Sequence, residues 1–240
     1  MRLSFVLAAL LLCPTLLAQP VHVSAEYEVT TQIQRTLPPE LARLAGDLPT
    51  SSTVIRQLRY DGVRAQSTDA EQDEQTGGTE TPRVRVRRNS MGLIHVDTER
   101  GVGLSQRDFM DRQFLVTEEP LDIEWTLTQE AAEFLGYPAY KATASVAEKA
   151  VEAWFTPSIA APVGPERYGG LPGLILVLTE DGGRRTFVAR EVSLEPLDAA
   201  LVPPTEGQPM TREEYDALVR EKMEALRSNR QPGTIFIPAN

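Results

Sequence analysis

Cysteine is nearly missing from this 240-residue chain: Cys13 is its sole thiol. It lies inside an N-terminal apolar stretch. Arg2 supplies a positive start, residues 5–12 are unbroken apolar, and Leu16-Leu17-Ala18 precedes Gln19 as a small-residue cleavage site. That pattern predicts a secretory signal peptide over residues 1–18, too short and wrongly flanked for a membrane span. Cys13 follows Leu11-Leu12 and precedes Pro14, without the small residues a lipidation site needs. The remainder, residues 19–240, has no cysteine and is expected to form one β-rich domain, exported to the periplasm or cell envelope. An oxidising compartment is then met without disulfides, and thiol catalysis and cysteine metal sites are excluded.

Lysine is scarce as well, with Lys141, Lys149 and Lys222 the complete set, so the positive charge is almost all arginine. The formal net charge is −10, a sign that repels phosphate backbones and argues against nucleic acid as a partner. No later apolar run is long enough to cross a bilayer, so the chain is not expected to be membrane-spanning. Histidine occurs twice, as His22 and His95. No Gly-x-Ser-x-Gly elbow, His-Glu-x-x-His, Walker loop or Gly-x-Gly-x-x-Gly is present. A hydrolase would have to recruit His95 or an acidic pair, and acids are too many for one pair to be singled out. His95 and Asp97 share a strand face without a third ligand, so no metal and no cofactor is expected. The sequence therefore predicts no enzyme.

What is present is mostly strand signal. Residues 21–32 alternate, with Val23, Ala25, Tyr27, Val29 and Thr31 on one face. A short helix is expected at residues 38–46, framed by prolines and Gly46. A second strand over residues 54–66 is interrupted by Asp61-Gly62, as a hairpin turn or a bulge. Residues 66–82 are polar throughout and read as an acidic loop. Asp69, Glu71, Asp73 and Glu80 have the spacing of a calcium loop, but Glu74 stands where its sharp turn needs glycine. Arg83, Arg85 and Arg87 alternate with Val84 and Val86 in a strand expected to pair with residues 91–97. Residues 101–103 should turn the chain, and residues 105–114 form another strand or a helical turn.

Residues 121–127 read as a strand carrying Trp125, whereas local propensity in residues 129–135 favours helix. Strands at 140–146 and 150–156 flank Ala147-Glu148-Lys149. Strands at 174–179 and 185–192 flank Glu180-Asp181-Gly182-Gly183, a strong hairpin signal. The period then changes. Thr211-Arg212-Glu213-Glu214 fits a capping box, with Met210 placed to staple on Tyr215. Tyr215, Leu218, Val219, Met223 and Leu226 form one stripe, predicting an amphipathic helix over about 211–228.

The stretch 154–178 joins a strand end to a Pro/Gly-rich connection and the hexapeptide Gly170-Leu171-Pro172-Gly173-Leu174-Ile175. Leu171-Pro172-Gly173-Leu174 suits a type II turn, and the apolar run after it should be the most buried strand. Together with Trp125, Leu127, Gly136-Tyr137, Lys141-Ala142-Thr143, Ala153-Trp154-Phe155-Thr156-Pro157 and Gly164-Pro165, the hexapeptide resembles the GLPGLI family of secreted Bacteroidota-type envelope proteins. Ala139 departs from that pattern, since many members carry a cysteine near there. The resemblance implies a strand over residues 130–135 against local propensity, and it carries over no catalytic residue. The element order is also similar to periplasmic lipoprotein carriers.

These readings together predict a mainly β fold, a strongly curved antiparallel sheet or half-barrel with a C-terminal amphipathic helix. The expected function is non-enzymatic binding or carriage of a lipid or other apolar ligand in a groove. Trp154, Pro157, Tyr168, Leu171 and Pro172 are the candidate groove rim. The alternative is an interaction protein docking on an outer-membrane transporter or assembly machine.

Overall fold

The structure, a computed structural model, describes residues 21–32, 50–70, 92–119 and 121–228. The expected signal peptide, the helix at 38–46, most of the acidic loop and the basic strand at 83–87 lie outside the described residues.

Twelve strands form one sheet, in the order β12-β6-β5-β4-β3-β2-β1-β11-β10-β9-β8-β7. In chain order they are β1 (Val23–Gln32), β2 (Ser51–Tyr60), β3 (Arg64–Asp69), β4 (Ile94–Asp97), β5 (Val102–Phe109) and β6 (Arg112–Glu118). After them come β7 (Thr126–Phe134), β8 (Tyr137–Val146), β9 (Lys149–Thr156), β10 (Leu174–Glu180), β11 (Arg185–Ser193) and β12 (Gln208–Thr211), followed by α1 (Arg212–Ser228). Neighbours are antiparallel except β12, which runs parallel to β6. Two meanders, β2 to β6 and β7 to β11, are joined where β1 lies between β2 and β11. The result is the expected mainly β fold with a C-terminal helix, and the sheet is open. No helix of the described residues is long and apolar enough to cross a membrane.

Local chemistry accounts for most turns. Asp61 Oδ1 accepts from the amides of Val63 (3.0 Å) and Arg64 (2.7 Å), so Asp61-Gly62 makes a hairpin. Met110-Asp111 and Ala147-Glu148 hold positive φ at both residues of two-residue loops, as type I′ hairpins require. The stretch 105–114 is therefore two strands meeting at 110–111, not one strand or a helical turn. The turn expected at 101–103 falls earlier, because Gly103 is already paired with Val96 inside β5.

Pairing overrides local preference elsewhere. Residues 66–69, expected in the acidic loop, belong to β3, held between β2 and β4. Within the stretch expected as a strand at 91–97, Ile94–Asp97 is β4, which pairs with β3 and β5. Trp125 precedes β7 instead of lying in a strand over 121–127, and residues 129–134 are strand as the family resemblance implied. β10 is the most buried strand, as its unbroken apolar run predicts.

Cross-strand partners share a face. Following the register places Phe114, Ser105, Leu58, Tyr27, Phe187 and Phe155 on one face, termed inner here. His95, Gln66, Lys141 and Trp154 lie on the opposite, outer face. The inner face carries the main core, centred on Tyr27, Leu58, Leu178 and Phe187. A second cluster of Phe109, Phe114 and Val116 receives Tyr215, Leu218 and Val219 of α1. The capping box forms as expected, with Thr211 N–H donating to Glu214 Oε2 (2.8 Å) and Glu214 N–H to Thr211 Oγ1 (3.3 Å). Met210 packs in the same cluster as Tyr215.

Candidate functional site

Residues 157–173, which hold most of the expected rim, cross the inner face. The segment is seated by backbone bonds to the start of β10: Leu174 N–H donates to Ile159 O (3.2 Å) and Ile175 N–H to Val163 O (3.0 Å). The hexapeptide corner differs from a type II turn. Gly173 N–H donates to Leu171 O (2.8 Å), an i to i+2 closure around Pro172, while Leu174 N–H is taken by Ile159. Gly173 has φ +150°, and a Cβ there would lie 2.0 Å from Thr156 O, so only glycine fits.

The tip of the segment is polar, and every group has a partner. Glu166 adopts φ +58°, unusual for a residue with a side chain. Its N–H donates to Ser67 Oγ of β3 (3.0 Å), and its carboxylate forms a two-point pair with Arg185 of β11. Arg167 reaches Glu118 of β6 (3.2 Å) and donates to Glu119 O (2.9 Å). Tyr168 donates its hydroxyl to Glu180 Oε1 of β10 (2.8 Å). Trp125 Nε1–H donates to Gly169 O (2.9 Å).

These contacts fix the curvature. β6 and β11 stand six places apart in the strand order, which would be about 29 Å across a flat sheet. The adjacent residues Glu166 and Arg167 touch both. The sheet must therefore curl around the segment, which plugs the half-barrel from inside.

Two buried ionic groups flank the plug. Glu118 accepts from Ser105 Oγ (2.6 Å), Arg107 Nη2 (2.9 Å) and Arg212 Nη1 (3.2 Å), in addition to Arg167. Burial alone would raise its pKa; the guanidinium groups of Arg167 and Arg107, the Ser105 hydroxyl and Arg212 outweigh it and hold the carboxyl below its usual range. Arg212 also pairs with Asp216 on α1 (3.0 Å), so the network ties the helix to the plug. On the other side, burial acts to lower the Arg185 pKa, but Glu166 and Glu180 outweigh it and raise it. Burial beside Glu180 raises the Tyr168 hydroxyl. Arg56, 2% exposed, pairs with Asp69 and donates to Ser67 O (3.1 Å) and Gly92 O (3.2 Å). Each of these cations is paired with a carboxylate, and Arg107, Arg167 and Arg212 share that of Glu118.

The expected rim residues do not form one lip. Leu171 is 2% exposed and belongs to the core, and Tyr168 is committed to Glu180. Pro157 and Pro172 are exposed on the surface of the corner. Trp154 lies on the outer face, edge-on to Phe134 (5.6 Å between rings) with Lys141 above it (5.9 Å). Lys141 bridges Glu130 and Glu152, both at 3.2 Å. His95 also faces outward, its Nδ1 bound by Gln66 and by neither a serine nor a carboxylate. The described residues contain no metal-binding group of three or more His, Cys, Asp or Glu.

Sequence reasoning missed a different surface. At the β7–β8 end the plug gives no cover: Leu127 is 60% exposed and Tyr140 43%, both on the inner face. Tyr140 lies against the buried Phe155 ring (6.3 Å), which extends the core into this open patch. Leu127 is among the residues that carry the family resemblance, and the alternation of β8 is the available signal.

Comparison with known proteins adds little chemistry. A family profile described as a protein of unknown function (Porph_ging) matches residues 144–177, which hold the Trp-Phe-Thr-Pro element and the hexapeptide. No curated protein matches. Two solved structures of PNGF-II, in different space groups, are similar in fold, with TM-scores of 0.54 and 0.55 at 13% and 12% identity. The likeness covers 84% of this chain and 33% of each of those chains. This chain thus spans about a third of their length, and at that identity the likeness shows fold alone.

Proposed function

We propose that this chain is an exported GLPGLI-type envelope protein that works by binding, and that it takes an apolar ligand, such as a lipid chain, on the β7–β8 end of its inner face. One observation carries the reading. Most apolar groups of the inner face are covered by the plug or by α1, while Leu127 and Tyr140 stand open on it, Tyr140 against Phe155. The signal-peptide pattern of residues 1–18 supports export, and the ion pairs that tie the plug to β6 and β11 support a scaffold over a reaction centre. The test is titration with a long-chain fatty acid and with an apolar fluorescent probe. Binding should be present in the parent and weakened at least tenfold in a Leu127→Ser, Tyr140→Ser variant of parental stability. Equal affinity in both proteins, or none in the parent, removes the proposal.

A second reading, docking on an outer-membrane partner, is favoured by the edge position of β7. It ends the strand order, and the described residues place no second neighbour on it. An edge strand of nine residues without lysine or proline is open to strand addition, and its charges, Glu130 and Glu133, are all negative. In-cell crosslinking from Thr128 should give one dominant membrane protein; a blank would set this reading aside.

A further inference from the structure

Residues 194–207 connect β11 to β12 and cross the outer face as a strap. Three side chains hold its backbone: Gln66 Nε2–H donates to Val202 O (2.6 Å), while Arg64 reaches Leu201 O and Gln106 reaches Glu206 O, each at 3.5 Å. Leu201 is fully buried beneath it, and so are His95 and Gln66. Gln66 is the one short tie, and its amide orientation follows from its partners. Val202 O can only accept, so it faces the NH2 group. Arg59 can only donate, and it faces Gln66 Oε1 (3.4 Å). The NH2 group of Gln66 therefore also points at His95 Nδ1 (3.1 Å), and that nitrogen must be the acceptor of a neutral imidazole carrying its hydrogen on Nε2.

We infer that His95 and Gln66 form an acid-sensitive latch: protonation of His95 Nδ1 by solvent sets two N–H groups against each other, turns Gln66 away from Val202 and frees the strap. The amide cannot simply flip, because the flipped form would set its oxygen against Val202 O and its NH2 against Arg59. Arg64 from β3 opposes the incoming proton, and Asp97 from β4 and Asp61 from the β2–β3 turn favour it. Burial and Arg64 together place the imidazole below its ordinary value, so the latch is closed at neutral pH. The strap leads directly into β12 and α1, whose Arg212 joins the plug network, so release on the outer face loosens the far end of the inner one.

The experiment is carbonyl-carbon NMR of Val202 in the full chain at pH 7.5 and pH 5, because the tie from Gln66 is made to that oxygen. Between those pH values the Val202 signal should move toward its position in a Gln66→Ala variant, in the parent and in a His22→Asn control. It should stay in place in His95→Asn, whose amide oxygen keeps an acceptor near the Nδ1 position. A Val202 signal independent of pH in the parent, or an equal movement in His95→Asn, overturns the latch. A second reading needs no variant: nitrogen NMR of the parent should show His95 as the Nε2–H tautomer at pH 7.5, and an Nδ1–H tautomer overturns the latch equally.

Discussion

Arg185 on β11 and Glu166 on the plug meet as a buried two-point ion pair, and Glu166 holds a left-handed backbone to make it. Removing one partner of such a pair strands the other charge without water. Glu166→Gln should therefore lower stability by about 3 kcal/mol in urea denaturation. A loss below about 0.5 kcal/mol, the range of ordinary surface changes, would mean that the plug is not seated as described.

The two glycines of the hexapeptide should behave differently. A Cβ at Gly173 would lie 2.0 Å from Thr156 O, so Gly173→Val should leave little folded protein. Gly170 has φ +84° but space around it, with Trp125 Nε1 the nearest atom at 3.9 Å. Gly170→Ala should cost only about 1 kcal/mol of backbone strain. Comparable losses at both positions, read by thermal denaturation, would refute the close-approach account. Gly173→Val as stable as the parent but inactive in cells would make the corner a functional element.

Acid should weaken the fold through Glu118. Its folded pKa is lowered from the ordinary carboxyl value of 4.5, so its contribution is present above that value and is lost as pH falls through the folded one. Stability should decline below about pH 4.5. Glu118→Gln should be less stable at pH 7, with Arg107, Arg167 and Arg212 deprived of their shared carboxylate, and should show a shallower acid limb. An unchanged limb would place the acid response elsewhere.

Trp125 should act as a strut for the plug. Trp125→Phe keeps an aromatic ring but loses the hydrogen bond to Gly169 O, which costs about 1 kcal/mol, and part of the indole's packing against the core. Exchange protection should fall around Gly169 and stay constant in β1 and β2. A uniform loss would show that Trp125 serves the global core.

Much of the frame was legible because it is local. Asp61-Gly62, the Asp181-Gly182-Gly183 hairpin and the Thr211–Glu214 box carry their partners within a few residues. The unbroken apolar run of β10 announced its burial. The polar interior was not legible. Arg56, Arg107 and Arg185 alternate with other residues in strands, a pattern that names no partner, and their carboxylates lie from 11 to 19 positions away. Gln66 looked like the start of a polar loop for the same reason: its partner Val202 is 136 positions distant. The rim residues lie apart because alternation within β9 sends Trp154 outward, whereas the corner turns Leu171 into the core.

The central claim is that the open end of the inner face binds an apolar ligand. It is tested most directly by native mass spectrometry of the protein purified from its own cell envelope. The account predicts an added mass of one lipid-sized ligand, released by organic solvent and absent from the Leu127→Ser, Tyr140→Ser variant. A protein that is consistently ligand-free, or a ligand retained in full by that variant, would contradict it.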